Sequence, residues 1–518
     1  MDSKTQKSDR IVKHIFKGTA SSQILQISTI LINIIYSVIL LRLLPPREVG
    51  LLELAGAPFG ILFVSTNLGL DSSVIFFLSK SKKNTDSSTT KNTMISAFSL
   101  RFIIVTISAL AILLFSESLA IFYGDPLIET LLRIKAIHFF IVSLEIIPCA
   151  TFNAYHKYEY PVYISVSTLL LSLVIVPSLI TLGFGVIGAA IGELIAGTIL
   201  TIATLFVWRK FFPKDSSSSN FKGTSKKLLA YGLPLAVDNV FSSISTNSGK
   251  LILGSFGPPE WIAYYSVAYN IFQLPMRAAA TARVALFPTM SELESEKEIN
   301  YLAKTFRMII NYLAILIAFL VGSILILADP FIILLYTQRY STAILLTQIM
   351  VIGNLFRFIG MPIETFLLAK GKPKIITIRS MITLGTTIFL EILLISTFGL
   401  IGASIAKVLS PLPAVIFLLL FLKSRTKQVS IDYRYLIKIY SIFTSSFLVS
   451  YLLTSSITYF GAFALFLFLF IFLSIILRGF TKQDLIMLAP VLDFFPYRLS
   501  LFMRKIGSRF YSILRDEK

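Results

Sequence analysis

The sequence predicts an all-α polytopic membrane protein with about fourteen transmembrane helices: two parallel six-helix repeats around a central cavity, followed by two extra C-terminal helices. Three observations predict this class. Of the 518 residues, 55% are hydrophobic and 14% are charged, too few polar side chains to cover a soluble protein of this length. Apolar runs of about 20 residues, enough to cross a bilayer as a helix, recur along the chain. The chain also repeats itself at an offset of about 213 residues.

The apolar runs predict fourteen spans and their orientation. The spans lie at about 22–44, 51–78, 94–116, 131–153, 161–182, 185–208, 228–256, 261–289, 304–327, 343–369, 374–397, 399–422, 435–456 and 459–477. The connectors alternate in charge: one set, together with both termini, carries 36 Lys and Arg residues, and the other carries only Arg42, Arg47 and Arg339. Short connectors rich in Lys and Arg stay in the cytoplasm, so both termini are expected inside a multi-pass protein of the cell (cytoplasmic) membrane.

The formal net charge of +20 follows from the same connectors. Their cations are expected to face anionic membrane lipids, so the charge does not require nucleic acid as a partner. Cys149 is the only cysteine and there are three histidines, so the composition predicts no disulfide within the chain and no protein-built metal site.

The repeat divides the chain into related halves. "PPREVGLLELA" from Pro45 aligns with "PPEWIAYYSVA" from Pro258, and "FGVIGAAI" from Phe184 aligns with "FGLIGASI" from Phe398. Six spans per half is an even number, so the halves share one topology, as in transporters that bind substrate between parallel repeats. The predicted organisation is a cytoplasmic tail (1–18), a six-helix bundle (19–210), a cytoplasmic linker (211–227), a second six-helix bundle (228–424), helices 13 and 14 (425–479) and a basic amphipathic cytoplasmic tail (480–518).

Corresponding spans of the two halves carry polar side chains at helical spacing. On span 7 these are Asn239, Ser243, Thr246 and Lys250, and on span 1 they are Gln26, Asn33 and Ser37. Each of these residues could simply hydrogen-bond between packed helices. Because two corresponding helices carry such a line, the sequence favours a water-filled cleft that the polar residues line.

Eight cations fall inside the predicted spans. Three of them near helix ends are expected to extend to the headgroups: Arg101, Arg133 and Lys135. Arg357 is expected to pair with Glu391 or Glu364, and Glu193 and Lys407, at equivalent positions of the halves, are interpreted as charges inside the bundles.

The remaining cations predict an anion-binding lining on spans 7 and 8. Lys250 lies near the outer end of span 7, and Arg277 lies in mid-span beside Pro275. Arg283 lies near the inner end of span 8, where it either faces the same cavity or extends to the headgroups. A mid-span arginine is costly in lipid and is expected to face an aqueous cavity or an anion. Lys250, Arg277 and Arg283 are therefore the candidate ligands of a diphosphate, whose oxygens suit Arg and Lys donors.

The segments "YGLPLAVDN" from Tyr231, "GKLILGSFGPPEWIAYYSVAYNIFQLP" from Gly249, "LLAKGKPK" from Leu367 and "FGLIGASIA" from Phe398 resemble the Wzx-like polysaccharide and oligosaccharide flippases. That family shares a superfamily with the lipid II flippases and the multidrug (MATE) extruders. The resemblance implies a flippase that moves a polyprenyl-diphosphate-linked oligosaccharide from the cytoplasmic to the outer leaflet by alternating access, for cell-surface polysaccharide or glycan biosynthesis. It also implies that spans 1, 2, 7 and 8 line the cavity, and that other membrane proteins of the polysaccharide pathway are partners.

The resembling family usually has an acidic–basic pair where this chain has Gly249-Lys250, so only the basic member is present here.

Two other classes stay open. A cation-coupled exporter of the MATE type would favour acidic cavity residues, and Glu53, Asp71 and Asp238 lie in or near spans 2 and 7. An integral-membrane glycosyltransferase or polymerase would need acidic metal-binding motifs or a large outer domain, and the sequence has neither Asp-x-Asp nor a long outer connector. We therefore expect a transporter rather than an enzyme, without a cofactor, and leave its coupling ion open.

Overall fold

The computed structural model describes residues 29, 31–84, 87–212, 221–280, 290, 299–425, 429, 431–455 and 457–477, in which every regular element is a helix. Gln26, Arg283 and both predicted tails lie outside the described residues. This all-helical structure is that of the predicted fold class.

Nineteen α-helices follow one another along the described part of the chain. They are α1 (Leu31–Leu43), α2 (Pro46–Ser65), α3 (Leu70–Asn84), α4 (Ser87–Tyr123), α5 (Leu127–Ser143), α6 (Ile146–Ala154), α7 (Glu159–Leu179), α8 (Gly185–Trp208), α9 (Phe221–Phe256), α10 (Pro259–Phe272), α11 (274–280), α12 (Ile299–Tyr336), α13 (Thr342–Ile352), α14 (Asn354–Arg357), α15 (Gly360–Ala369), α16 (Pro373–Leu409), α17 (Leu412–Arg425), α18 (Tyr433–Leu452) and α19 (Tyr459–Ile476).

The two repeated motifs take the same local structure in both halves. Pro46 and Pro259 each occupy the first position of a helix, where proline loses no hydrogen bond and its fixed φ suits the helix. Gly185 has φ 54° and ψ −137°, and Gly399 has φ 56° and ψ −132°. Only glycine adopts this backbone conformation without strain, so the aligned "FG" motifs mark matching turns.

Among the described residues, nine stretches of helix are long and apolar enough to cross a membrane. Two of these stretches, Glu159–Phe211 and Pro373–Ser424, have 53 and 52 residues, and a straight helix of that length would measure about 80 Å. Each is interrupted at its repeated glycine turn, so each has the length for two crossings of a bilayer about 30 Å thick. The exact count of fourteen spans stays a prediction.

The chain packs into two compact units. Unit 1 comprises Met1–Tyr269, Ile332–Leu346 and Lys374–Ala414, and unit 2 comprises Asn270–Phe331, Thr347–Pro373 and Val415–Lys518. The sequence-based division into two six-helix bundles and two extra helices stays a prediction beside this division.

In unit 1, an apolar core joins α3, α4, α6, α8 and α9. Its fully buried members include Leu70, Met94, Phe152 and Leu228, with Trp208 exposed by only 5%. The opposite face of α4 carries large apolar side chains that are exposed on the protein surface. Leu114 is 80% exposed and Ile121 is 75% exposed, both on α4. Apolar side chains on both faces are typical of a helix that meets lipid on one side and protein on the other.

In unit 2, the last two helices pack against earlier ones. A Cβ at Gly322 of α12 would lie 2.2 Å from the Phe466 ring of α19, so glycine permits this close approach. Asn354 Nδ2 donates to the Phe272 carbonyl at 2.8 Å, and Tyr440 of α18 donates to the Leu355 carbonyl. The two extra C-terminal helices of the prediction, α18 and α19 in the structure, are therefore part of unit 2.

Candidate functional site

In unit 1, the polar side of α9 faces α2. Ser243 Oγ donates to the Gly60 carbonyl at 2.9 Å, and Lys250 Nζ lies 2.6 Å from Glu53 Oε2. Asn247 Nδ2 donates to the Ser243 carbonyl one turn earlier, at 3.0 Å. Two members of the predicted polar line, Ser243 and Lys250, thus bind groups of the second span.

Glycines permit a close approach to α9 both within α2 and just after its end. A Cβ at Gly60 would lie 2.9 Å from Asn247 Oδ1, and one at Gly69 would lie 2.2 Å from the Gly232 carbonyl oxygen. Beyond the end of α2, Ser73 Oγ donates to the Leu228 carbonyl at 2.8 Å. The helices therefore run antiparallel in contact, which fixes the side chains of α9 against α2.

The Glu53–Lys250 ion pair is the central feature of this contact. Glu53 Oε2 accepts from Lys250 at 2.6 Å and from Ser266 Oγ of α10 at 3.5 Å. The side chains are 33% exposed for Glu53 and 18% exposed for Lys250. The pair lies among apolar helices, but both side chains are partly exposed. A polar ligand could therefore contact the ammonium group at this exposed surface.

A second ion pair of unit 1 joins Lys135 of α5 to Glu193 of α8. Tyr36 Oη of α1 donates to Glu193 Oε1 at 2.7 Å. The Lys135 side chain is only 13% exposed, so the expectation that it extends to the headgroups is wrong. The half-buried Glu193 carboxylate holds it between helices, and Tyr36 ties α1 to the same carboxylate.

A third ion pair lies within the α16 region and holds α9. Lys407 Nζ lies 3.1 Å from Glu391 Oε1 and donates to the Ser245 carbonyl at 2.6 Å. Ser248 Oγ of α9 donates to Glu391 Oε2 at 2.6 Å. Glu391 is 0% exposed and Lys407 8%. This full set of partners satisfies both charges inside the protein, so the pair is a structural connection between α9 and α16.

Arg101 of α4 also differs from its expected position. Its side chain is fully buried and donates to Thr66 Oγ1 at 2.7 Å and to the Ser143 carbonyl at 3.2 Å. Thr66 follows the last residue of α2, and Ser143 is the last residue of α5. The guanidinium therefore binds helix ends, where carbonyls lack partners within their helix, instead of reaching the headgroups. Arg133 is 55% exposed and pairs with Glu129 at 2.5 Å.

The structure brings together only part of the candidate set. Arg277 lies on α11 in unit 2, with an exposed side chain and its backbone N–H bound to the Gln273 carbonyl at 3.0 Å. In unit 1, Ser37 and Thr246 are half-buried, and Asn33 and Asn239 are exposed. Asn33 Nδ2 donates to the Thr29 carbonyl of its own helix at 2.9 Å. That these residues line one cleft stays a prediction.

Arg357 has partners within unit 2. Its Nη1 donates to Gln273 Oε1 at 3.2 Å, and its guanidinium lies 5.3 Å from the Phe272 ring centroid. The predicted alternative partner Glu391 instead binds Lys407. Among the described residues, no group of three His, Cys, Asp or Glu side chains could hold a metal ion.

Comparison with known proteins places this arrangement in a family. The model of the polysaccharide biosynthesis protein family matches residues 15–294, and the MatE model matches residues 234–393. The chain belongs to the polysaccharide biosynthesis protein family. Its membership agrees with the resemblance seen in the sequence, and the MatE match agrees with the common superfamily.

Three curated relatives of this family member match over part of their length. They are an uncharacterized membrane protein in the cps region of Klebsiella pneumoniae (26% identical; 42% of this chain, 44% of the relative), the lipopolysaccharide biosynthesis protein WzxC of Escherichia coli (23%; 36% and 37%) and the probable flippase AglR of Haloferax volcanii (25%; 46% and 50%). The chain thus spans half the length or less of these relatives. Among solved structures, the lipid II flippase MurJ in an inward closed conformation has a TM-score of 0.75 at 17% identity, covering 90% of this chain and all of that one. This likeness shows a common fold.

Sequence reasoning identified Lys250 but missed the partner that neutralises it. The available signal was that the predicted spans contain carboxylates as well as cations: Glu53, Glu193 and Glu391 each bind one lysine. Spacing could not assign the pairs, because Glu53 and Lys250 are separated by almost 200 residues. A carboxylate inside an apolar run nevertheless indicates that a buried cation is close.

Proposed function

We propose that this multi-pass membrane protein is a flippase that moves a polyprenyl-diphosphate-linked oligosaccharide from the cytoplasmic to the outer leaflet by alternating access, for cell-surface polysaccharide or glycan biosynthesis. The observation that carries the proposal is Lys250, whose side chain is 18% exposed within an apolar helix that carries polar Ser243 two turns earlier on the same side. A cation in such a place suits an anionic group that must cross the membrane. The family match and the relatives' names support the pathway.

In this proposal, the candidate side chains bind different parts of the substrate. Lys250, Arg277 and Arg283 bind the diphosphate, and the hydroxyl and amide side chains of spans 1 and 7 bind the glycan. The polyprenyl chain stays in lipid. The protein acts as a transporter without enzymatic activity, in the cell membrane with both termini in the cytoplasm, and anionic lipids and membrane proteins of the same pathway are its proposed partners.

The Arg277→Ala variant tests the diphosphate assignment. In proteoliposomes containing a fluorescent lipid-linked oligosaccharide, its flipping rate should fall about tenfold, because a hydrogen bond to a charged group contributes roughly 1.5–3 kcal/mol. Arg339→Ala, which removes an exposed arginine between α12 and α13, is the matched control and should keep the wild-type rate. Wild-type flipping by correctly inserted Arg277→Ala would remove Arg277 from the site.

A cation-coupled exporter is the second candidate, because the MatE model matches residues 234–393. The same proteoliposomes, tested with a fluorescent cationic drug under an ion gradient, distinguish the two. Transport of the drug without flipping of the lipid-linked oligosaccharide would overturn the flippase proposal. We expect flipping and no drug transport, because the candidate side chains Lys250 and Arg277 are cationic.

A further inference from the structure

Three ion pairs in the described part of unit 1 hold its helices together and differ in how exposed they are. Glu391 and Lys407 are 0% and 8% exposed and have further partners in Ser248 and Ser245. Glu193 and Lys135 are 19% and 13% exposed, with Tyr36 as a third member. In the Glu53–Lys250 pair, the Glu53 side chain is 33% exposed, the largest value among these six side chains. An anion from outside can therefore reach this pair most easily.

Glu53 also accepts few hydrogen bonds from the described residues. A single carboxylate oxygen, Oε2, accepts both from Lys250 at 2.6 Å and from Ser266 Oγ at 3.5 Å. The Ser266 contact is at the long limit for a hydrogen bond between oxygens. When Lys250 turns to another anion, the carboxylate of this one-third exposed side chain still accepts from Ser266, so it is not left as a buried charge without any donor.

A diphosphate is a stronger partner for Lys250 than this carboxylate. The ammonium group has three donors and no acceptor, and a diphosphate offers more negative charge and more oxygens than one carboxylate. Charge-assisted hydrogen bonds to phosphate are short and strong. The carboxylate, however, is held within the protein at contact distance, so it competes with a high effective concentration.

We propose that the Glu53 carboxylate is an internal substitute for the diphosphate of the substrate: it holds Lys250 when the site is empty, the diphosphate displaces it on binding, and its return to Lys250 promotes release. This inference rests on the proposed function and adds to it a residue that sets affinity and release. Glu53 is a positioning residue here, acting on the substrate through Lys250.

Binding to the purified full-length protein in detergent tests the competition. The probe is farnesyl diphosphate, measured by calorimetry, with inorganic diphosphate and farnesol as separate arms. Glu53→Gln should bind farnesyl diphosphate about fivefold more tightly than the wild type, the size of effect expected from a partly exposed ion pair. Glu129→Gln, which breaks the Glu129–Arg133 pair of α5, should leave the affinity unchanged. Tighter binding of inorganic diphosphate as well would show that the headgroup alone competes.

The role of Lys250 is tested in the same experiment. In a Lys250→Met background, the additional Glu53→Gln change should have no effect on affinity, because no ammonium group remains to compete for. Glu53→Asp keeps the charge but shortens the side chain by one methylene group, so it should bind farnesyl diphosphate with intermediate affinity. It replaces Glu53→Gln in the test if that variant unfolds. Unchanged or weaker binding by Glu53→Gln, or a gain that persists with Lys250→Met, would overturn the competition.

Transport kinetics separate this inference from the proposed function. With the lipid-linked oligosaccharide in proteoliposomes, Glu53→Gln should lower both KM and kcat, because the substrate binds more tightly and is released more slowly. A purely structural pair would lower activity with no fall in KM. If the wild type flips substrate but Glu53→Gln keeps its KM, the competition is wrong and the function stands. If the wild type flips nothing, both are wrong.

Discussion

At the scale of single residues, Arg101 shows how a cation is accommodated among apolar helices. Its guanidinium is 0% exposed and donates to Thr66 Oγ1, to the Ser143 carbonyl and, at 3.4 Å, to the Phe63 carbonyl. The Phe63 and Ser143 carbonyls belong to the last turns of α2 and α5, where the helix dipole favours positive charge. One side chain therefore satisfies the ends of two helices and fixes both against α4.

We expect Arg101→Met to lower the free energy of unfolding by at least about 2 kcal/mol, because each buried acceptor left without a partner costs roughly 1–3 kcal/mol. Arg101→Lys should fall between methionine and the wild type, since lysine keeps the charge but not the planar set of donors. Thermal unfolding in detergent measures both.

The matched control for this prediction is Arg133→Met, whose side chain is 55% exposed in the wild type. Its midpoint should stay close to the wild-type value, because surface substitutions change stability by about 0.5 kcal/mol or less. Equal midpoints for Arg101→Met and Arg133→Met would show that the buried network contributes no stability.

The structure also explains why position 249 of α9 is a glycine. A Cβ at this position would lie 2.6 Å from Tyr265 Oη and 3.0 Å from Glu391 Oε1. A side chain at this position of α9 would therefore collide with Tyr265 of α10 and with the carboxylate of Glu391 on α16.

At the scale of elements, the contact between the start of α2 and the start of α10 depends on a glycine. A Cβ at Gly50 would lie 1.8 Å from the Pro259 carbonyl oxygen, whereas a Cβ at Gly56 of the same helix would meet nothing within 4 Å. Backbone cannot move aside as a flexible side chain can. Alanine substitutions at these two positions of α2 therefore measure two different effects. At Gly50 they measure the cost of overpacking a close contact, and at Gly56 they measure the intrinsic helix preference of alanine over glycine.

Gly50→Ala should lower the free energy of unfolding by about 1–3 kcal/mol or more, the cost of overpacking a well-packed contact. Gly56→Ala should raise it by up to about 1 kcal/mol, because alanine favours the helix over glycine. Chemical or thermal unfolding of the two variants gives the comparison directly. A stabilising Gly50→Ala would contradict the close contact between α2 and Pro259.

The repeated turns could be predicted from the sequence, and the ion pairs could not. The "PP" and "FG" motifs recur at a fixed offset, and their conformation depends on local backbone chemistry, so Pro46, Pro259, Gly185 and Gly399 take matching structures. The partners of Lys135, Lys250 and Lys407 are chosen by tertiary packing. For Lys135, its place near a helix end predicted that the side chain extends to the headgroups, whereas in the structure it pairs with Glu193.

The ion pairs of Lys250, Lys135 and Lys407 lie at a similar depth within their helices. Glu53, Glu193 and Lys407 each lie about eight residues, or roughly 12 Å, after the turn that opens their helical stretch at Pro46, Gly185 or Gly399. The connector charges predict all three turns on the outer side. The proposed anion site at Lys250 would then be in the outer part of the membrane, beyond the reach of substrate headgroups that still lie in the inner leaflet.

At the scale of the whole molecule, this depth depends on the predicted orientation, which comes from charge alone. The connectors and termini assigned to the cytoplasm carry 36 of the 47 Lys and Arg residues, and short loops follow such a bias strongly. The described chain offers exposed positions on both predicted sides: Lys157, between α6 and α7, and Gln338, between α12 and α13.

Because Cys149 is the only cysteine and is half-buried, a Cys149→Ser background allows single thiols to report the orientation. In right-side-out vesicles, a membrane-impermeant maleimide should label Gln338→Cys and leave Lys157→Cys unlabelled. In inverted vesicles the labelling should reverse, since the two connectors are separated by an odd number of predicted crossings. Labelling of Lys157→Cys from the outside would invert the protein in the membrane, and the Glu53–Lys250 pair would then meet the substrate at its entry from the cytoplasm instead of before its release.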